Sequence, residues 1–278
     1  MGFENLELIT LQQYWWIIIS LLGGLFVFIM FVQGGQTLID KLSENETEKT
    51  MLINSIGRKW ELGFTTLVLF GGALFAAFPL FYATSFGGAY WVWLSILFCF
   101  IIQAVSYEFR TKPNNFLGQK TYEFFLKING NIGTFLLGVA ISTFFSGSEF
   151  IVDSNNFVDW QNPLRGLEAL LNPYNYLLGF SLVFLAKISG ALYFINNIDY
   201  EKIREKAVNS IKINMLLFLF FFLGFMLWIL TKDGYAINKN NFIEIERLKY
   251  FQNFIDMPIV LSMFLIGVLV VIIAVFVT

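Results

Sequence analysis

Apolar residues run along this chain in long stretches, interrupted by short polar clusters. A helix needs ~20 apolar residues to cross a ~30 Å hydrocarbon core, and about seven stretches approach that length. They are Tyr14–Val32, Leu62–Tyr82, Ala89–Phe109, Ile132–Phe145 with some extension, Tyr174–Ile195, Ile213–Thr231 and Met257–Val277. In lipid an unpaired backbone group costs several kcal/mol, so each stretch is predicted to be a helix. The fourth is the shortest and is rich in Ser and Thr. The pattern predicts an all-α polytopic transmembrane helix bundle forming a single integral membrane domain over residues 1–278. Gln33–Glu61, Ser146–Pro173 and Lys232–Asp256 are read as loops, none of them a separate soluble domain.

Basic residues set the predicted direction. Lys41, Lys49, Arg58 and Lys59 follow the first stretch, Arg110, Lys112, Lys120 and Lys127 the third, and Lys202, Arg204, Lys206 and Lys212 the fifth. The Tyr82–Ala89 connection has none, and Ser146–Pro173 has only Arg165 among four acids, Glu149, Asp153, Asp159 and Glu168. The amino terminus is therefore expected outside and the carboxyl terminus inside. Lys232, Lys239, Arg247 and Lys249 run against this pattern. The leader carries Glu4 and Glu7 but no basic residue, so the first stretch reads as a retained span and not a signal peptide.

Composition sharpens the class. Of 278 residues, 57% are hydrophobic and only 14% charged, against roughly 25% charged in soluble domains. There is no histidine, which excludes His-ligated haem, His-bound zinc and His-dependent nucleophilic catalysis. Cys99 is the single cysteine, within an apolar run, so neither an internal disulfide nor a thiolate cluster is possible. A net charge of -2 and the absence of a phosphate-cradling loop after a strand give no sign of nucleic acid or nucleotide.

Few polar residues remain to carry chemistry. Lys187 lies mid-run in "YLLGFSLVFLAKISGALYFI", where a charge costs about 2.5–3.5 kcal/mol on insertion scales. It reads as part of an ion or proton path, as a structural ion pair, or as a contact to a partner subunit. Glu61 follows Trp60 at the mouth of the second stretch. It suits either a helix amino terminus or a proton entrance. Glu108, near Arg110, reads as a paired interfacial anchor or as a second proton group, with Gln103 deeper in the same run. Gln33 and Gln36 flank Gly34 and Gly35 and would hold water or bond to neighbouring helices. Gly71, Gly72, Gly87, Gly88, Gly133 and Gly138 are expected to allow close helix contact. Pro79 should bend or end the second span, and Trp15, Trp16, Trp91 and Trp93 suit an interfacial belt.

The stretch "ETEKTMLINSIGRKWELGFTTLVLFGGALFAAFPLFYATSFGGAYW" resembles subunit II of cytochrome bd-type quinol oxidases. Ile53 to Ile56, Trp60, Glu61, Gly71 to Pro79, Tyr82, Ala83, Phe86, Gly88 and Tyr90 carry the likeness. "YEFR" at Tyr107–Arg110, "LLNPYNYLLG", "GALY", "KDGYAI" and "NFIDMPI" extend it over nearly the whole chain. The resemblance implies a haem-free subunit in a bacterial cytoplasmic membrane. Its partner would be a haem-bearing subunit I carrying haem b and haem d, or b-type haems only, in a heterodimer with access to the quinol pool and lipid and with room for a small accessory subunit. The complex would oxidise quinol and reduce oxygen, with a cytoplasmic proton path partly in this subunit. Glu61, Glu108 and Trp60, with Gln33 and Gln36, are the expected path residues, and Lys187 is a candidate partner for one of the acids. Departures accompany the likeness. Gln33 and Gln36 stand where the family has an Asp-Gly-Phe-Asp motif, Gln103 where it has Arg, and Lys187 where it is apolar. Relatives are longer by about two spans. The residues alone also allow a secondary transporter or ion-conducting bundle with Lys187 as its coupling charge.

Overall fold

The computed structural model describes residues 7–237 and 242–277; Glu4 and Lys239 lie outside them. Among the described residues, six helical stretches are long and apolar enough to cross a membrane, and a bent pair makes a seventh. The first is α1 (Leu8–Ile29) continued by α2 (Phe31–Leu42). The second is α3 (Glu46–Gly57) with α4 (Trp60–Ala77). Pro79 then opens the short α5 (Pro79–Tyr82), so the proline ends the span as the sequence predicts. A π-helical turn over Ala83–Gly88 leads to α6 (Tyr90–Phe109). The fourth stretch joins α7 (Gln119–Ile128), a π-helical turn over Asn129–Gly133, and α8 (Thr134–Ser146). The fifth and sixth are α9 (Pro173–Asn197) and α10 (Glu201–Thr231). The bent pair is α11 (Lys249–Asp256) and α12 (Pro258–Val277), turned by 99°.

The segment read as a loop, Gln33–Glu61, is helical instead. Two local causes account for this. Asn45 caps α3 by accepting from the Glu48 amide (2.9 Å), and the Glu48 carboxylate accepts in return from the Glu44 amide (2.6 Å) and the Asn45 side chain (3.0 Å). In α2 both glutamines are buried in the protein, so the fall in hydropathy there marks a buried polar patch and not the end of the helix. Likewise α10 begins at Glu201, ahead of the predicted Ile213, because Ile203, Ala207, Ser210 and Ile211 supply a buried face below the membrane run.

At one end of the bundle, the basic end, the termini of α2, α3, α6, α7, α9 and α10 gather around a charged network. The Arg110 guanidinium donates twice to one oxygen of Glu123 (3.0 and 2.7 Å), and Lys49 donates to the other (3.1 Å). Lys49 also lies 3.4 Å from Asp40, which pairs in turn with Lys127. The Lys206 ammonium bonded to Glu44, with Lys202 near it, holds the Glu44 carboxyl below its ordinary range. That surface contribution is present at neutral pH and fades as pH falls through the carboxylate range. At the opposite end the loops form hairpins. β1 (Phe150–Val152) pairs antiparallel with β2 (Val158–Trp160), and β3 (Gly234–Ile237) with β4 (Ile243–Glu246). The Trp160 indole donates to the Thr84 carbonyl (3.2 Å) and caps the π turn.

Helix α9 is the spine of the bundle, packed by α2, α8 and α10. Its contacts run backbone to backbone. A Cβ at Gly138 would lie 2.7 Å from the Gly179 Cα, and one at Gly34 would overlap the Ala186 carbonyl. Gly133 and Gly88 are also close contacts, against Cys99 and Trp160, whereas Gly72 and Gly87 face open space and make none. Trp93 departs from the expected belt by stacking on Phe86, 3.9 Å between ring centroids.

Candidate functional site

The glycine pair of α2 decides where its glutamines go. With Gly34 against Ala186, and Gly35 against the backbone at Gly190, the helix is pressed into the bundle and nine of its residues are buried. Gly130, in the π turn, adds a third close approach, onto the Gln33 carbonyl. Gln33 and Gln36 are consequently 0% exposed. Gln33 Nε2 stands 3.5 Å from Gln103 Oε1, at the limit of a hydrogen bond, and Gln36 Nε2 donates to the Tyr107 hydroxyl at 3.1 Å. Tyr107 lies nearly parallel to Trp60, with ring centroids 6.4 Å apart. Asn129, in the π turn that packs against α2 and α6, is also 0% exposed.

The cluster is polar, neutral and incompletely paired. Gln33 Oε1, Gln36 Oε1, Gln103 Nε2 and both amide atoms of Asn129 find no hydrogen-bond partner among the described residues. Each such group is costly in an apolar surround. Side chains that both donate and accept favour hydrogen-bonded water between them.

Trp60, Tyr107 and Glu108 line a cleft of about 580 Å³ at the basic end. The cleft therefore touches the row Tyr107–Gln36 that leads inward. Glu61 is exposed, one turn before the bundle interior; two residues on, Gly63 packs against Gln33. Glu108 is exposed too, and it is not paired with Arg110 as expected, because the guanidinium is committed to Glu123. Lys187 is half-buried, 5.4 Å from the Phe184 ring centre, with no carboxylate within ion-pair distance among the described residues. The expected pairing of Lys187 with Glu61 or Glu108 is thus absent. Tyr107, Asn129 and the Glu123 network were not singled out as site residues from the sequence. Tyr107 was legible as a polar group one turn from Gln103, and the Asn45–Glu48 spacing announced α3. Nothing in the sequence places Asn129 beside α2.

No imidazole exists in the chain, and its one thiol, Cys99, is buried against Gly133. Among the described residues no three His, Cys, Asp or Glu converge as a metal site.

Fold and site together define a polytopic helical membrane protein whose interior carries a neutral polar row leading from a cleft at one membrane boundary. The sequence matches the family described as cytochrome bd terminal oxidase subunit II over residues 11–278, and the chain belongs to that family. It is 27% identical to the probable cytochrome oxidase subunit 2 of Haemophilus influenzae over 261 residues, covering 90% of this chain and 68% of that protein. It is 28% identical to the cytochrome bd-I ubiquinol oxidase subunit 2 of Escherichia coli K12, covering 82% of this chain and 60% of that one. A Bacillus subtilis cytochrome bd ubiquinol oxidase subunit 2 is 32% identical over 52% of this chain and 44% of its own length. The chain thus spans about two thirds of the first relative and less of the other two.

Proposed function

We propose that this chain is the haem-free subunit of a quinol:oxygen oxidoreductase in a bacterial cytoplasmic membrane. It braces a haem-bearing partner, with its basic end on the cytoplasmic side, and supplies part of that partner's proton path. Family membership over residues 11–278 is the observation that carries the reading. The geometry supports it for four of the expected path residues, Trp60, Glu108, Gln36 and Gln33; Glu61 does not line the cleft and Lys187 stands apart. Trp60, Tyr107 and Glu108 share one cleft wall, and Gln36 and Gln33 continue from Tyr107 into the bundle. In this reading Glu61 and Glu108 exchange protons with bulk water at the mouth. The amides inside hold water, which moves the proton, and carry no net charge themselves. When bound in the partner, haem supplies the electron transfer to oxygen. Neither the family nor the isolated Lys187 supports the transporter alternative.

Gently extracted protein is expected to travel with a haem-bearing chain, visible in the reduced-minus-oxidised spectrum. A colourless preparation that retains its native fold would overturn the reading. In the assembled complex, Glu61→Gln is expected to lower oxygen consumption and membrane-potential generation by about tenfold or less. The effect is bounded because the group is exposed and water reaches the cleft beside it. Unchanged rates at unchanged haem content would remove Glu61 from the path.

A further inference from the structure

The cleft at the basic end has a charge pattern that a proton entrance does not require. Arg58 and Lys59 stand together on its wall, in the turn between α3 and α4, and Glu108 faces it from α6. Among the described residues neither Arg58 nor Lys59 has an ion pair; others at this end, such as Lys41, Lys112 and Lys120, also lack one but do not line the cleft. Glu108 is unpaired as well, and Arg110, also on the wall, is neutralised by Glu123. The free charges of the cleft are therefore two cations and one carboxylate.

Neutral hydrogen-bonding groups lie between them. Asn197 Nδ2 donates to Ser55 Oγ on the same wall, and the Tyr193 hydroxyl donates to the Ser55 carbonyl at 3.2 Å. Trp60 begins the apolar run of α4, so the cleft lies where the span meets the polar boundary, at headgroup depth. Basic pockets between spans at this level suit phospholipid phosphates. A volume of about 580 Å³ admits a headgroup and the first part of its glycerol.

We infer that this cleft binds the headgroup of an amine-bearing phospholipid, its phosphate held by Arg58 and Lys59 and its ammonium by Glu108. A headgroup carrying both charges matches all of the unpaired groups at once, whereas a purely acidic headgroup would place Glu108 against an anion. This inference rests only on the cleft and the membrane boundary; with lipid seated, Glu108 is held by the ammonium, and Glu61, which does not line the cleft, is the acid left open to bulk water.

Native mass spectrometry of the purified protein, with whatever partner it retains, tests this in mixed micelles of phosphatidylethanolamine against phosphatidylglycerol. The wild type is expected to retain phosphatidylethanolamine preferentially. The double variant Arg58→Gln/Lys59→Gln should reduce retention of both lipids about tenfold. Glu108→Gln should keep lipid binding but lose the preference for the amine. Full retention by the double variant overturns the site, and a wild-type preference for phosphatidylglycerol overturns the amine contact. Displacement of the lipid by millimolar inorganic phosphate would show an anion site and overturn the lipid assignment. Thermal unfolding of each variant separates lost binding from lost folding.

Discussion

Gly34→Ala is expected to prevent stable folding of the chain. A Cβ at this position would overlap the carbonyl group of Ala186 and crowd the Lys187 amide, and these are backbone atoms of the helix at the centre of the bundle. Overpacking a core by a methyl group ordinarily costs about 1–3 kcal/mol, when side chains can move aside. Here only a shift of α2 against α9 relieves the overlap. That shift would also break the packing at Gly35 and Gly190, so the cost should exceed this range. Gly72→Ala is the matched control, because nothing lies within 4 Å of its added Cβ and it sits inside α4. On helix propensity it should be neutral or stabilising by about 0.5–1 kcal/mol. The yield of monodisperse protein and the midpoint of thermal unfolding read both variants. Equal behaviour of Gly34→Ala and the parent would refute the close α2–α9 crossing.

That crossing explains why part of this fold was legible in the sequence and part was not. Spans reveal themselves because lipid demands apolar length, and the runs from Leu62, Ala89 and Tyr174 all appear as helices. Pro79 marks a helix end for a purely local reason. By contrast, "FVQGGQTLIDKL" loses hydropathy while remaining helical, because its two glutamines are buried in protein and not in water. A hydropathy reading has no term for a buried amide. Gly34 and Gly72 look alike in sequence, each one of a glycine pair, yet one is a backbone contact and the other faces open space. Only the neighbouring helix distinguishes them. The same limit applies to the site. Gln33, Gln36, Trp60 and Glu108 were visible as polar or interfacial residues near one boundary, but that Tyr107 accepts from Gln36 and lies beside the Trp60 ring emerges only from the packing of the helices. Arg110 shows the reverse error. Its neighbour in sequence was taken for its partner, and the true partner, Glu123, lies on the next helix.

Gln33 and Gln103 give the sharpest test of the interior. The resemblance places both where relatives carry charges of opposite sign, and here two neutral amides face each other, both 0% exposed. Gln33→Glu alone would put a carboxylate among amides with no cation to meet it. An unpaired buried charge of this kind costs about 3–5 kcal/mol, so the variant should unfold at much lower temperature. Gln103→Arg alone should be destabilised for the opposite charge. Combining them restores neutrality, and the double variant should recover most of the loss, giving a coupling of about 2 kcal/mol or more in a double-mutant cycle. The sign matters more than the size. If the two substitutions simply add, the residues are not neighbours in the folded protein, and the inward row from Tyr107 does not reach α6 at Gln103. If they compensate, the interior tolerates a charge pair but is built here without one. On the proposed proton path, exposed Glu61 and Glu108 are then the carboxylates at its mouth, and a proton moving inward from them would travel on water held by amides.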